Sequence, residues 1–285
     1  MRWDKFRTSR NVEDRRGQRG GGRAAGGLGI GAVLILGIVG YALGIDPRIL
    51  IQGAEMASGG GSAVTQPAPV GTPDDETGRF VAAVLGNTED VFRQILPAQT
   101  NVAYAEPRLT LFAAGTRSGC GFAQSATGPF YCPLDQTIYL DTSFFAEMDS
   151  RLGGGGDFAY AYVIAHEVAH HVQNLIGVLP KVREAQRAGS QAEANALSVR
   201  VELMADCIAG VWAHHADARW SVLEDGDIEQ ALSTAAAIGD DRLQGAGQGQ
   251  VVPDSFTHGT SEQRMTWFKT GLAKGGLDEC DTFAR

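Results

Sequence analysis

The stretch YAYVIAHEVAHHVQN, residues 160–174, decides how this chain reads. Val163, Ile164, Ala165, Val168 and Ala169 surround its polar residues, which predicts a buried helix over 158–176. Four glycines (153–156) precede it, Asp157 is placed to cap it, and Gly177 and Pro180 are placed to stop it. Within it stands His166-Glu167-Val168-Ala169-His170, the HExxH spacing. Residues four apart share one side of a helix, so both imidazoles can reach one ion. Glu167 stands beside the first histidine, placed to take a proton from a water the ion activates rather than to bind the ion. The alternative is an amphipathic helix that turns this polar stripe to solvent. Two imidazoles and a carboxylate buried without a partner would be costly, which favours the metal. His171 points about 100° away from His170 and reads as a supporting or surface residue.

A catalytic zinc takes three protein ligands and leaves one position open. The third is not found shortly after His170, where positions 173 and 176 are Gln and Ile. The best source is VELMADCIAG, residues 201–210, within a second long helix expected over 191–215. Glu202 and Asp206 are four apart and share a face there. Glu202 suits a ligand, and Asp206 suits the far nitrogen of a zinc histidine. The competing reading is a salt-bridged pair with Arg200 or Arg264. Glu193 is a poorer ligand because it stands near the helix start. Downstream, HGTSEQR (258–264) opens a helix expected over 260–274, with Thr260 or Ser261 as cap. His258 is the candidate for steadying negative charge on a substrate oxygen, with Tyr131 and Tyr139 as weaker ones. Arg264 is a candidate partner of Asp206 or Glu202. His214 and His215 read as surface residues.

Around these helices the chain alternates between strands and further helices. A helix is expected over 79–94, ended by Pro97, and strands over 108–113 and 137–140. The second strand could pair an extended substrate at a sheet edge or lie inside the sheet, and the sequence leaves both open. A third long helix is expected over 227–238, followed by a Gly/Gln-rich surface loop over 239–252. The fold class is therefore α+β, mostly helical, with a small sheet toward the N-terminal side.

Ahead of the domain, charge is unevenly spread. Residues 1–45 carry eight Lys/Arg against three acids, whereas the remaining 240 residues hold 16 basic and 30 acidic groups. So acidic a body excludes a nucleic-acid-tracking surface. The run 24–45 (AAGGLGIGAVLILGIVGYALGI) has no charge and is long enough to span a bilayer. A cleaved signal peptide and a buried core helix are the alternatives. The basic excess before the run would place the N-terminus in the cytoplasm and the body beyond a bacterial inner membrane. The expected organisation is a disordered basic arm (1–23), a transmembrane helix (24–45), a flexible linker (46–76) and a metal-binding domain (77–285). Four cysteines, Cys120, Cys132, Cys207 and Cys280, allow two disulfides. Cys120–Cys132 closes a short loop and is the first choice, leaving Cys207–Cys280. A zinc site and free buried thiols are the alternatives, though no CxxC pair is present.

Four separated segments carry a resemblance: residues 119–145 (GCGFAQSATGPFYCPLDQTIYLDTSFF), 161–173, 201–210 and 258–264. Together they resemble the bacterial putative neutral zinc metallopeptidase family, the YpfJ-like proteins, over nearly the whole chain. The resemblance implies a membrane-anchored zincin whose third ligand is a glutamate on a later helix. It implies zinc (Zn2+) on His166, His170 and Glu202, Glu167 as general base, Asp206 as supporting carboxylate and His258 as the histidine facing the transition state. The expected activity is hydrolysis of a peptide bond in a peptide or protein substrate. An amidase acting on cell-wall peptide and a non-catalytic, membrane-tethered zinc scaffold are the alternatives.

Overall fold

A computed structural model describes residues 1–17, 73–125, 128–152, 155–248 and 251–284. The largest departure from expectation lies at the start. Residues 1–17, expected as a disordered arm, belong to the same compact unit as Pro69–Arg285. Val12 is fully buried and opens strand β1 (Val12–Asp14), which pairs in parallel with β2 (Arg108–Phe112). The arginines of this segment answer acids rather than a lipid surface. Arg7 pairs with Glu89 and Asp90, and Arg16 with Asp14 and Asp75. Glu89, itself buried, also accepts from Ser9 and Asn11.

This packing overturns the single-span topology. A segment paired strand-to-strand with the body cannot lie across a bilayer from it. Among the described residues no helix is long and apolar enough to cross a membrane. The run 24–45 itself lies outside the described residues, as does most of the linker 46–76. The transmembrane helix ahead of the domain, the membrane as partner and the inner-membrane location with a cytoplasmic N-terminus are therefore withdrawn.

The fold is mostly helical with a small sheet. The sheet has the order β1-β2-β6-β5, where β5 is Phe130–Cys132 and β6 is Thr137–Asp141. β2 and β6 are parallel, β5 and β6 antiparallel, with Tyr131 opposite Ile138. All five residues of β6 are buried because β6 is interior, and β1 and β5 form the two sheet edges. The hairpin of β3 (Gly115–Ser118) and β4 (Gly121–Gln124) forms a separate pair. Cys120–Cys132 ties this hairpin's turn to β5.

Helix α1 (Glu76–Thr100) is capped by Asp75, whose side chain accepts the Gly78 N–H at 3.0 Å. It runs past Pro97, the expected stop, because Pro97 falls on its exposed face where the orphaned carbonyl meets solvent. Asn101, with φ 59°, ends it instead. After the short α2 (Ser143–Glu147) comes α3 (Asp157–Leu175), the buried helix read first in the sequence. Gly156 is its N-cap and Asp157 its first residue, so the helix starts one position earlier than expected. Pro180 does not stop the chain, since it sits in the first turn of α4 (Val178–Ala188), where no N–H is needed. Helix α5 (Gln191–Trp220) opens with a Ser190–Glu193 capping box. It is followed by α6 (Asp227–Ala237) and α7 (Asp240–Gln248), the latter in place of the expected loop. Last comes α8 (Ser261–Lys274), boxed by Thr260 and Gln263.

The site depends on how α5 meets α8. A methyl at Gly210 would collide with the Phe268 carbonyl, and one at Gly271 with that of Cys207. Bare glycines thus let the two backbones touch, and Cys207–Cys280 fastens the same face covalently. His214 and His215 are half-buried and donate to the carbonyls of Leu272 and Gly275 at 2.8 Å, closing the end of α8 rather than facing water.

Candidate metal centre

Helix α3 is apolar on nearly every side, so its polar residues are informative by contrast. His166 and Glu167 are only 6% and 7% exposed. Across from them α5 presents Glu202, and the structure brings His166, His170 and Glu202 together with one donor atom each, all within 4.8 Å. Glu202 Oε2 lies 3.0 Å from His166 Nε2, and Oε1 lies 3.4 Å from His170 Nε2. Two imidazole nitrogens and one carboxylate oxygen form a donor set that suits zinc. Burial would raise the Glu202 carboxyl, but the two imidazoles outweigh it and hold the group well below its usual range. Burial likewise opposes charge on His170, and Glu202 outweighs it and raises the ring.

Behind His166 lies a buried polar network. Its Nδ1 is 2.9 Å from Asp206 Oδ1. Arg264 donates to the same carboxylate from Nε at 2.8 Å and from Nη2 at 2.9 Å. The Tyr162 hydroxyl donates to it at 2.5 Å. Burial pushes the Asp206 carboxyl up, but Arg264 and His166 hold it down at about 2. A carboxylate so fixed can only accept, so His166 carries its proton on Nδ1 and turns Nε2 toward Glu202. Against the cost of burial, Asp206 and Glu202 raise His166 to about 10.

Glu167 faces the other side of the same cavity. Burial raises its carboxyl, with His170 and His166 pulling the other way. The Tyr131 hydroxyl serves elsewhere. His171, fully buried, donates from Nε2 to the Ala105 carbonyl at 2.6 Å, so its Nδ1 accepts the Tyr131 proton at 2.9 Å. Tyr139 is likewise engaged, stacked on Phe130 and donating to Asp135. Neither tyrosine hydroxyl is free to serve a substrate oxygen.

The cavity over these residues is about 500 Å3 and is bounded by β5, α3, α4, α5 and the segment before α8. Phe130, Phe144, Leu179 and Val182 give it apolar walls, and Arg183 stands exposed among them. His258 also lines it, nearly half exposed. Its Nδ1 lies 3.1 Å from Asp240 Oδ1, while Asp240 Oδ2 accepts the N–H groups of Thr257, His258 and Gly259. These bonds engage Nδ1 and leave His258 Nε2 out.

Three residues of this arrangement escaped the sequence reading: Tyr162, Gln173 and Asp240. Tyr162 stands four residues before His166 and Gln173 three after His170, so both share the histidine face of α3. A polar residue at helical spacing inside an apolar helix was the available signal. Asp240 gave none, since it lies in a segment read as loop.

Residues 1–283 match the family described as Putative neutral zinc metallopeptidase, and the chain belongs to this family. It is 47% identical over 292 residues to "Uncharacterized protein YpfJ" of Escherichia coli strain K12, covering 100% of this chain and 99% of that protein. It is 43% identical over 223 residues to "Uncharacterized protein Mb2605" of Mycobacterium bovis, covering 73% of each. No solved structure matches the chain significantly.

Proposed function

We propose that this chain is a zinc-dependent endopeptidase acting at the cavity over α3, with the ion held by His166, His170 and Glu202. The observation that carries the reading is the convergence of these three donors within 4.8 Å beside a buried Glu167. Zinc bound there supplies a Lewis acid that polarises a carbonyl and lowers the pKa of a water. Glu167 acts as general base. Its raised carboxyl is suited to accept a proton and to pass it on to the leaving amine. Asp206, fixed by Arg264 and Tyr162, orients His166. His258, steadied by Asp240, is the group placed to meet negative charge developing on the substrate oxygen. The apolar walls suit a substrate side chain without charge, with Arg183 available to a carboxylate nearby.

The test is elemental analysis of the whole chain, since β1 belongs to the domain and a fragment starting at residue 77 would lack it. Wild type should carry about one zinc per chain, and folded Glu202→Ala should lose it. Glu167→Gln should keep zinc while hydrolysis of a peptide library falls roughly 10²–10⁴-fold. A folded wild type that neither contains nor takes up zinc overturns the reading.

A further inference from the structure

Apart from the network behind His166, one more buried polar side chain touches a ligand of the centre. We propose that Gln173 is a positioning residue: it fixes the tautomer and ring orientation of His170, and is itself oriented by the main chain of the helix that bears Glu202. The inference rests on the function proposed above.

The direction of the amide follows from hydrogen-bond logic. Gln173 is fully buried on α3. Its amide nitrogen lies 2.7 Å from the Val201 carbonyl on α5. A carbonyl only accepts, so the NH2 end must face Val201 and the oxygen must face away. That oxygen lies 2.9 Å from His170 Nδ1. An amide oxygen also only accepts, so Nδ1 must carry the proton. Nε2, 3.4 Å from Glu202 Oε1, is then the nitrogen that gives up its proton and offers a lone pair when the ring takes an ion. A neutral imidazole free to choose would divide between two tautomers, only one of which presents Nε2 to an ion. Gln173 removes the choice.

The same amide joins two ligand-bearing helices. Val201 is the residue before Glu202, so the chain of bonds from the Val201 carbonyl through Gln173 to His170 sets the histidine against the backbone beside the carboxylate ligand. His166 receives the equivalent service from Asp206, a charged group with its own buried cation in Arg264. At His170 the service is done by a neutral amide. Replacing Gln173 by leucine would fill most of its volume, yet leave an imidazole N–H without its acceptor in a dry site. Outer partners of metal histidines are worth about 10–100-fold in metal affinity.

The test compares wild type, Gln173→Leu and Gln173→Glu as full-length protein, with zinc affinity measured by competition against a chromophoric chelator. Gln173→Leu should bind about 10–100-fold more weakly. Gln173→Glu restores an acceptor for Nδ1–H and should bind more tightly than the leucine variant. In parallel, 15N spectra of metal-free, histidine-labelled wild type at alkaline pH, where the ring is neutral, should show His170 protonated on Nδ1. This measurement needs no variant to fold. A wild-type ring protonated on Nε2 overturns the proposal. So does a folded Gln173→Leu that binds zinc as tightly as wild type. If wild type binds no zinc at all, the site reading has failed and the proposal goes with it, a result distinct from tight binding by every variant.

Discussion

His170 and His171 are neighbours on one helix and lead opposite lives. His170 looks into the cavity toward Glu202, while His171 looks back into the core, between Tyr131 and the Ala105 carbonyl. Each ring's proton is dictated by a main-chain carbonyl, directly for His171 and through Gln173 for His170. The outcomes are reversed: the proton lies on Nε2 in His171 and on Nδ1 in His170. Their affinities for a second proton also diverge. Burial lowers His171, whereas Glu202 overrides burial and raises His170. Burial is common to both, so the nearby carboxylate is what turns a core histidine into a candidate ligand.

The sharpest way to break this contrast is to remove each ring in turn. His170→Ala should abolish stoichiometric zinc and peptide hydrolysis together, a loss exceeding the 10–100-fold or so expected for an outer partner. His171→Leu should leave zinc content unchanged by elemental analysis. Equal loss in the two variants would show that the helix, not the ring, was being measured. Next in size is Asp206→Asn, which leaves Arg264 buried without its counter-charge. Chemical denaturation should register a loss of about 3–5 kcal/mol. His171→Leu itself should cost less, about 1–3 kcal/mol by the same method, because it leaves the Ala105 carbonyl and Tyr131 hydroxyl short of a partner.

The response to pH separates His166 from His171 by the direction of their shifts. In metal-free protein, His166 is raised from its ordinary 6.5 to about 10. Its contribution to stability is thus full below pH 6.5 and lost as pH climbs through about 10. His171 is lowered, so its contribution is present above pH 6.5 and lost as pH falls through its folded-state value. Denaturation of His171→Leu across this range should keep the alkaline loss and lack the acid one. A ring holding a proton near neutrality must release it to take a metal, so zinc affinity should rise with pH. Calorimetry in buffers of different ionisation enthalpy would count the protons released.

The parts of the site legible in the sequence are those set by local periodicity. His166 and His170 are one helical turn apart, as are Glu202 and Asp206, so each helix prepares its half of the cluster by itself. Gln173 was passed over because only its contact with Val201, 28 positions away, gives it meaning. Asp240 has meaning only through the turn at residues 257–259. The interior position of β6 followed from pairing on both sides, which strand composition does not encode. The opening segment misled most. Its basic residues and the apolar run after it resemble a membrane signal when counted, yet Arg7 and Arg16 each have acids waiting far along the chain.

That last pairing has a geometric corollary. Arg16 grips Asp75, so the end of the β1 segment is held against the N-terminus of α1 although the two residues are 59 positions apart in the chain. The same Asp75 caps α1, so one carboxylate serves as clasp and cap together, and Asp75→Ala should loosen both, at a cost of about 0.5–2 kcal/mol for the cap alone by chemical denaturation.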